Sequence, residues 1–135
     1  MLTFDVNWLA VIVSAVANMI IGAVWYSVWA EPWLKGIGKT REWAEENQRP
    51  TDYVIAAFNS VMMAFFLANV MSWAGVSGLL SGLLVGLFMW LGFTGFSFAA
   101  NHAFEDRSTL VWFINSGIYL VGLLMIGAIL GLWQS

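Results

Sequence analysis

The chain has 135 residues, of which 61% are hydrophobic and 10% charged, far from the roughly 25% charged residues of a soluble domain. A net charge of −3 without a basic cluster excludes a phosphate-neutralising nucleic-acid surface. The lack of cysteine excludes disulfides and thiolate chemistry. The 5 basic and 8 acidic side chains all fall at Asp5, between Glu31 and Asp52, or from Glu105 to Arg107. Three charge-free intervals remain, 6–30, 53–104 and 108–135. The first and last each suit one membrane helix of about 20 apolar residues, and the middle one needs two with a turn between them. The chain therefore reads as all-α, a single integral membrane domain over residues 1–135 built as a four-helix transmembrane bundle.

The first span is expected over residues 7–29. Its N-terminus has no basic n-region or small-residue cleavage site, and its apolar run exceeds a signal h-region, so the span is retained. Asn7, Val11, Ser14, Asn18, Ile21, Gly22, Trp25 and Trp29 recur at three- and four-residue steps and share a face. That face is smaller and more polar than the rest, and in lipid a polar stripe turns toward protein. Phe4 and Trp8 at one end, and Trp25, Tyr26, Trp29 and Trp33 at the other, suit aromatic belts at the headgroups.

Residues 31–51 form the one long hydrophilic segment. Pro32 is placed to open a short helix with Trp33, Leu34 and Ile37 on its apolar side, and Gly36 and Gly38 break it. A second short piece over 41–47 has Thr40 as its cap. The two pieces lie along the membrane surface, or the segment is a loosely ordered loop; the density of Gly and Pro leaves both open.

The second span is expected over 52–73, with Thr51 as cap and Asp52 at the positive end of the helix dipole. Asn59, Met62, Phe66, Asn69 and Trp73 follow a 3-4-3-4 spacing and suggest a packing seam. Gly75 ends this span and Ser77 caps the next, which gives antiparallel neighbours. The third span, over 78–102, begins with Gly78, Gly82 and Gly86, the spacing that lets two membrane helices approach closely. The fourth, over 109–133, carries Asn115, Tyr119, Gly122 and Ile126 on one face, and Ser116, Gly127 and Gly131 on a second small-residue face. Two such faces predict a homo-oligomer, most simply a dimer, or a subunit of a membrane complex, with lipids as the remaining partners.

Lys35, Lys39, Arg41, Arg49 and Arg107 all lie in the loops after the first and third spans, and the other side has no Lys or Arg. Loops 31–51 and 103–108 are therefore expected in the cytoplasm and both termini outside. At about 1.5 Å of rise per residue, Asn59 and Asn115 enter the membrane from that side to a similar depth, Ser97 approaches that level, and Asn18 and Tyr119 sit nearer the midplane. These five could line a polar cavity opening inward. The alternative is that each hydrogen-bonds a neighbouring helix, for about 0.6 kcal/mol apiece.

His102 is the single histidine. Glu105 and Asp106 stand at i+3 and i+4, yet a metal centre normally needs three or four protein ligands, so a capping or hydrogen-bonding role fits better and no metal or cofactor is expected. Glu105 and Asp106 make a solvated turn with Arg107 as a local partner. No span contains a carboxylate, lysine or arginine, which argues against a proton-driven exporter. No Ser-His-Asp or Cys-His pattern and no phosphate loop is present, so no enzyme is expected. Trp90, mid-span, fills a gap between helices or faces a neighbouring protein.

Gly22-Ala-Val-Trp25-Tyr26-Ser27, Asn101-His102-Ala-Phe104-Glu105-Asp-Arg107, Asn115-Ser-Gly117-Ile-Tyr119 and Gly127-Ala-Ile-Leu-Gly131-Leu-Trp133 occur in this order across nearly the whole chain. The set resembles a family of small bacterial four-helix membrane proteins described as a domain of unknown function. Members usually follow Trp-Tyr-Ser with proline, whereas Val28 stands here and proline comes only at Pro32, which leaves the end of the first span open. The resemblance implies a bacterial inner-membrane location and four helices, and implies no activity. Because the shared motifs gather at the loop-side ends of spans one, three and four, it also points to an inner-leaflet site containing Trp25, Tyr26, Asn101, His102, Glu105, Arg107, Asn115 and Tyr119.

Two functions follow as expectations. One is binding or transport of a small neutral or amphipathic molecule through the inward-facing cavity. The other is a non-catalytic accessory subunit that scaffolds a membrane complex through its glycine faces.

Overall fold

The computed structural model describes residues 2–133. Its elements are α1 (Trp8–Val28), α2 (Ala30–Gly36), α3 (Arg41–Glu46), α4 (Pro50–Ala74), α5 (Leu79–Trp90), a π turn (Leu91–Gly95), α6 (Phe96–Phe104) and α7 (Thr109–Trp133). Four helical spans are long and apolar enough to cross a membrane: Trp8–Val28, Pro50–Ala74, Leu79–Phe104 and Thr109–Trp133. Ile20, Val24, Phe58, Leu80 and Phe88 stand more than half exposed on their outer faces. An aqueous protein rarely displays such a continuous apolar surface, and lipid is its natural solvent.

The expected boundaries hold to within a few residues, and each departure has a local cause. α1 ends at Val28, and Trp29 leads directly into α2. The segment after it is helical: Thr40 Oγ1 accepts from Trp43 N–H at 3.1 Å and caps α3. α4 begins two residues earlier than the Thr51 cap predicted, with Arg49 at the cap position, because Pro50 occupies its first turn, where the missing N–H costs nothing. Ser77 does not cap α5. Gly78, at φ +93°, takes that place and donates its N–H to the Gly131 carbonyl at 2.9 Å.

The turn between α4 and α5 depends on Gly75, left-handed at φ +68°. Nothing lies within 4 Å of a Cβ built there, so only backbone strain opposes a side chain. Gly75→Ala is expected to lower stability by about 1 kcal/mol, measurable as a reduced melting temperature in detergent; an unchanged melting temperature would show that the turn carries no such strain.

α1 packs along both α4 and α7, and α5 lies along α7, while α4 and α5 touch over only a short stretch. In space the order is α4, α1, α7, α5. Ala10 and Val11 of α1, Ala64, Leu67, Ala68 and Met71 of α4, and Leu123, Ile126 and Leu130 of α7 form the core. The inward face of α1 is the one its sequence predicted, with Val11 and Ser14 buried and Asn18, Ile21 and Gly22 half-buried. The seam expected on α4 is corrected. Phe66 and Trp73 are exposed, and the buried row is Ser60, Ala64, Leu67 and Met71, which places small residues against α1.

The glycine faces meet each other. A Cβ on Gly82 would overlap the Gly127 carbonyl, one on Gly86 the Leu123 carbonyl, and one on Gly131 the Gly78 carbonyl. Backbone approach of this closeness is what the small-residue spacing permits. Both faces are thereby consumed inside one chain, and the basis for keeping them for a second copy is removed.

Candidate functional site

Two features dominate the half of the bundle nearest α2 and α3, the loop side. The first is a polar junction centred on Asn115. Its Oδ1 accepts from Tyr26 Oη–H at 3.1 Å and from Trp33 Nε1–H at 2.9 Å, and its Nδ2 lies 3.2 Å from His102 Nε2. His102 Nδ1 faces the Phe98 carbonyl at 2.8 Å. A carbonyl only accepts, so Nδ1 carries the hydrogen and Nε2 receives the Asn115 amide. The Trp33 indole only donates, which fixes the amide orientation. One side chain thus ties α1, α2 and α6 to α7. Trp25 reinforces it by donating to the Ile114 carbonyl at 2.9 Å and lying over Gly117.

The second feature is a pair of cavities. A vestibule of about 870 Å³ opens between α1, α3, α4 and α7, with Asn18, Tyr26, Ser60, Arg49 and Tyr53 among its walls. A narrower slot of about 520 Å³ runs between α4 and the α5–α6 span, walled by Met62, Met63, Met89, Phe93 and Phe98. Asn59 and Tyr119 belong to both walls. Asn18 is engaged, donating to Ser60 Oγ at 2.8 Å. Among the described residues Asn59 has only the Met63 thioether, at 3.6 Å, a weak acceptor. Among the described residues the Tyr119 hydroxyl has no hydrogen-bond partner, and its ring packs edge-on against Phe98. Unspent hydrogen-bonding capacity therefore concentrates where polar and apolar space adjoin.

The eleven expected site residues separate into three groups. Asn18, Tyr26, Asn59 and Tyr119 line the vestibule. Trp25, Tyr26, His102 and Asn115 build the junction and brace the helices. Ser97, Asn101, Glu105 and Arg107 are exposed on the outside, and Arg107 Nε pairs with Glu105 at 2.8 Å. The displaced positions share a cause. The π turn over Leu91–Gly95 inserts one extra residue, so Phe98 and His102 turn toward α7 where regular winding would present Ser97 and Asn101. Trp112 Nε1 donates to the Gly95 carbonyl at 2.9 Å and Trp90 Nε1 to the Ser116 carbonyl at 2.8 Å, and the Trp90 ring covers Gly95. Trp90 is accordingly a brace within the chain.

Three contributors had no place in the expected site. Trp33 was legible as a belt aromatic on the apolar side of a short surface helix, with no sign of the hydrogen bond it makes. Ser60 follows Asn59 directly and faces Asn18 once the seam of α4 is shifted. The methionines of the slot carried no polar signal.

No match to a curated protein or to a solved structure was found. A family sequence model does match, over residues 9–131, all four spans, the junction and both cavities included. The chain belongs to that family, described as protein of unknown function (DUF1761).

Proposed function

We propose that the chain is a membrane-embedded binding or transport protein for a small neutral or amphipathic molecule, which it takes up through the vestibule. The vestibule itself carries the proposal: its volume lies in the range of roughly 300–1,000 Å³ typical of ligand sites, and Asn59 and Tyr119 offer hydrogen bonds at its inner end. The charges at its mouth, Glu45 among them, argue against an anionic ligand. Arg41 pairs with Glu31, and Arg49 with Asp52 at 2.9 Å, so both cations lining it are already matched and neither awaits a free anion. The five-to-zero bias of lysine and arginine supports a cytoplasmic vestibule, and the resemblance to small bacterial membrane proteins supports a bacterial inner membrane.

The absence of native cysteine makes the test direct. A single cysteine at Asn59 should react with a charged, membrane-impermeant thiol reagent about tenfold or more faster than one at lipid-facing Ile20, because only a hydrated thiol ionises. Equal, slow reaction at both positions would show Asn59 sealed from water and end the proposal.

A further inference from the structure

The vestibule and the slot differ in chemistry yet share two residues. Asn59 and Tyr119, with hydrogen-bonding capacity to spare, stand at the boundary. Beyond them the slot is apolar except for Thr94. From Asn59 to Val70, both in its wall, α4 advances about 16 Å, a length that suits an extended hydrocarbon chain. Thioethers and rings from Met62, Met63, Met89 and Phe93 supply that surface, and methionine adapts to chains of varied shape. The slot exists because α4 and α5 diverge soon after their turn, and no described residue fills it.

Resting on the function proposed above, we infer that the ligand is a single-chain amphiphile. Its neutral or zwitterionic head lies in the vestibule against Asn59 and Tyr119, and its hydrocarbon chain runs along the slot toward Val70. A polar solute would use the vestibule alone. A bilayer lipid in casual contact would occupy the slot no more than any other lipid-facing groove.

Two photoreactive monoacylglycerols separate these cases, one with a diazirine on the glycerol and one with it at the chain end, each added to the full-length protein in lipid nanodiscs. The glycerol reagent should label the vestibule segment 53–60. The chain-end reagent should label the slot around Val70, at Phe66, Val70 and Met89, about tenfold more heavily than the lipid-facing residues Ile12, Val16, Ile20 and Val24, the factor that a modest binding preference produces. Met62→Trp and Val70→Trp, each filling the slot, should return chain-end labelling to the lipid-facing level while glycerol labelling persists. In the wild type, unlabelled long-chain monoacylglycerol should compete and glycerol should not, a readout independent of how the variants fold.

Vestibule labelling with chain-end label spread evenly over the lipid-facing surface would overturn the amphiphile assignment and leave the vestibule proposal standing. Failure of both reagents to exceed the lipid-facing level would overturn this assignment, and the Asn59 cysteine experiment decides the vestibule proposal separately.

Discussion

Replacing Gly82 with valine should separate α5 from α7 and lower stability by about 3 kcal/mol or more, the upper end of the cost of overpacking. The first added carbon would overlap the Gly127 carbonyl, a backbone group on a helix that also packs against α1. A flexible side chain could rotate away, whereas a carbonyl can move only with its helix. Gly127→Val should be as damaging, since it meets the Gly82 carbonyl in return. Gly22→Ala is the control: nothing lies within 4 Å of a Cβ there, so its effect should stay within about 0.5 kcal/mol. Thermal unfolding in detergent, followed by the near-ultraviolet signal of the tryptophans, measures all three. A Gly82→Val protein that melts with the wild type would refute the close approach of α5 and α7.

The second large effect belongs to Asn115. Asn115→Leu removes the acceptor for Tyr26 and Trp33 and the donor to His102. Each of these three half-buried groups left unpaired forfeits about 1 kcal/mol, so a total of about 3 kcal/mol is expected. Asn101→Leu, at an exposed position of α6, should cost far less. Because Trp33 is the tie between α2 and α7, hydrogen exchange over 30–36 should also quicken in the Asn115 variant. A double-mutant cycle with Trp33→Phe should give a coupling of about 0.5 kcal/mol or more. Zero coupling, or equal costs for Asn115→Leu and Asn101→Leu, would show that the junction does not hold the helices.

Most of the fold could be read from where the charges are missing. Four spans and their turns follow from solvent and sterics, which act locally on the sequence, whereas the glycine faces, expected to meet a second chain, meet each other. Thr40 as a cap and Gly75 as a helix stop are equally local. The candidate site was legible in part. Asn18, Asn59, Tyr26 and Tyr119 do line one cavity, because depth along a helix follows from counting residues. Ser97 and Asn101 were lost because counting assumes unbroken 3.6-residue winding, and the π turn breaks it on account of Trp90, Gly95 and Trp112, whose contacts cross between helices. Asn115 was placed at the right depth but in the cavity instead of the junction. Which neighbour claims an amide depends on a tryptophan in another element, and no periodicity reveals that.

The spatial order α4, α1, α7, α5 also bears on how the chain assembles in the membrane. α1 and α4 can pair as soon as both are inserted, because their interface needs nothing synthesised later. α5 has no such early partner. Its close-packed face fits α7, the span that follows it, and its N-terminal amide at Gly78 awaits the Gly131 carbonyl near the end of that span. The third span therefore waits in lipid with its glycines uncovered until 109–133 has been inserted beside it. Any chain cut before 109–133 leaves it without its partner, a state open to recognition by membrane quality control.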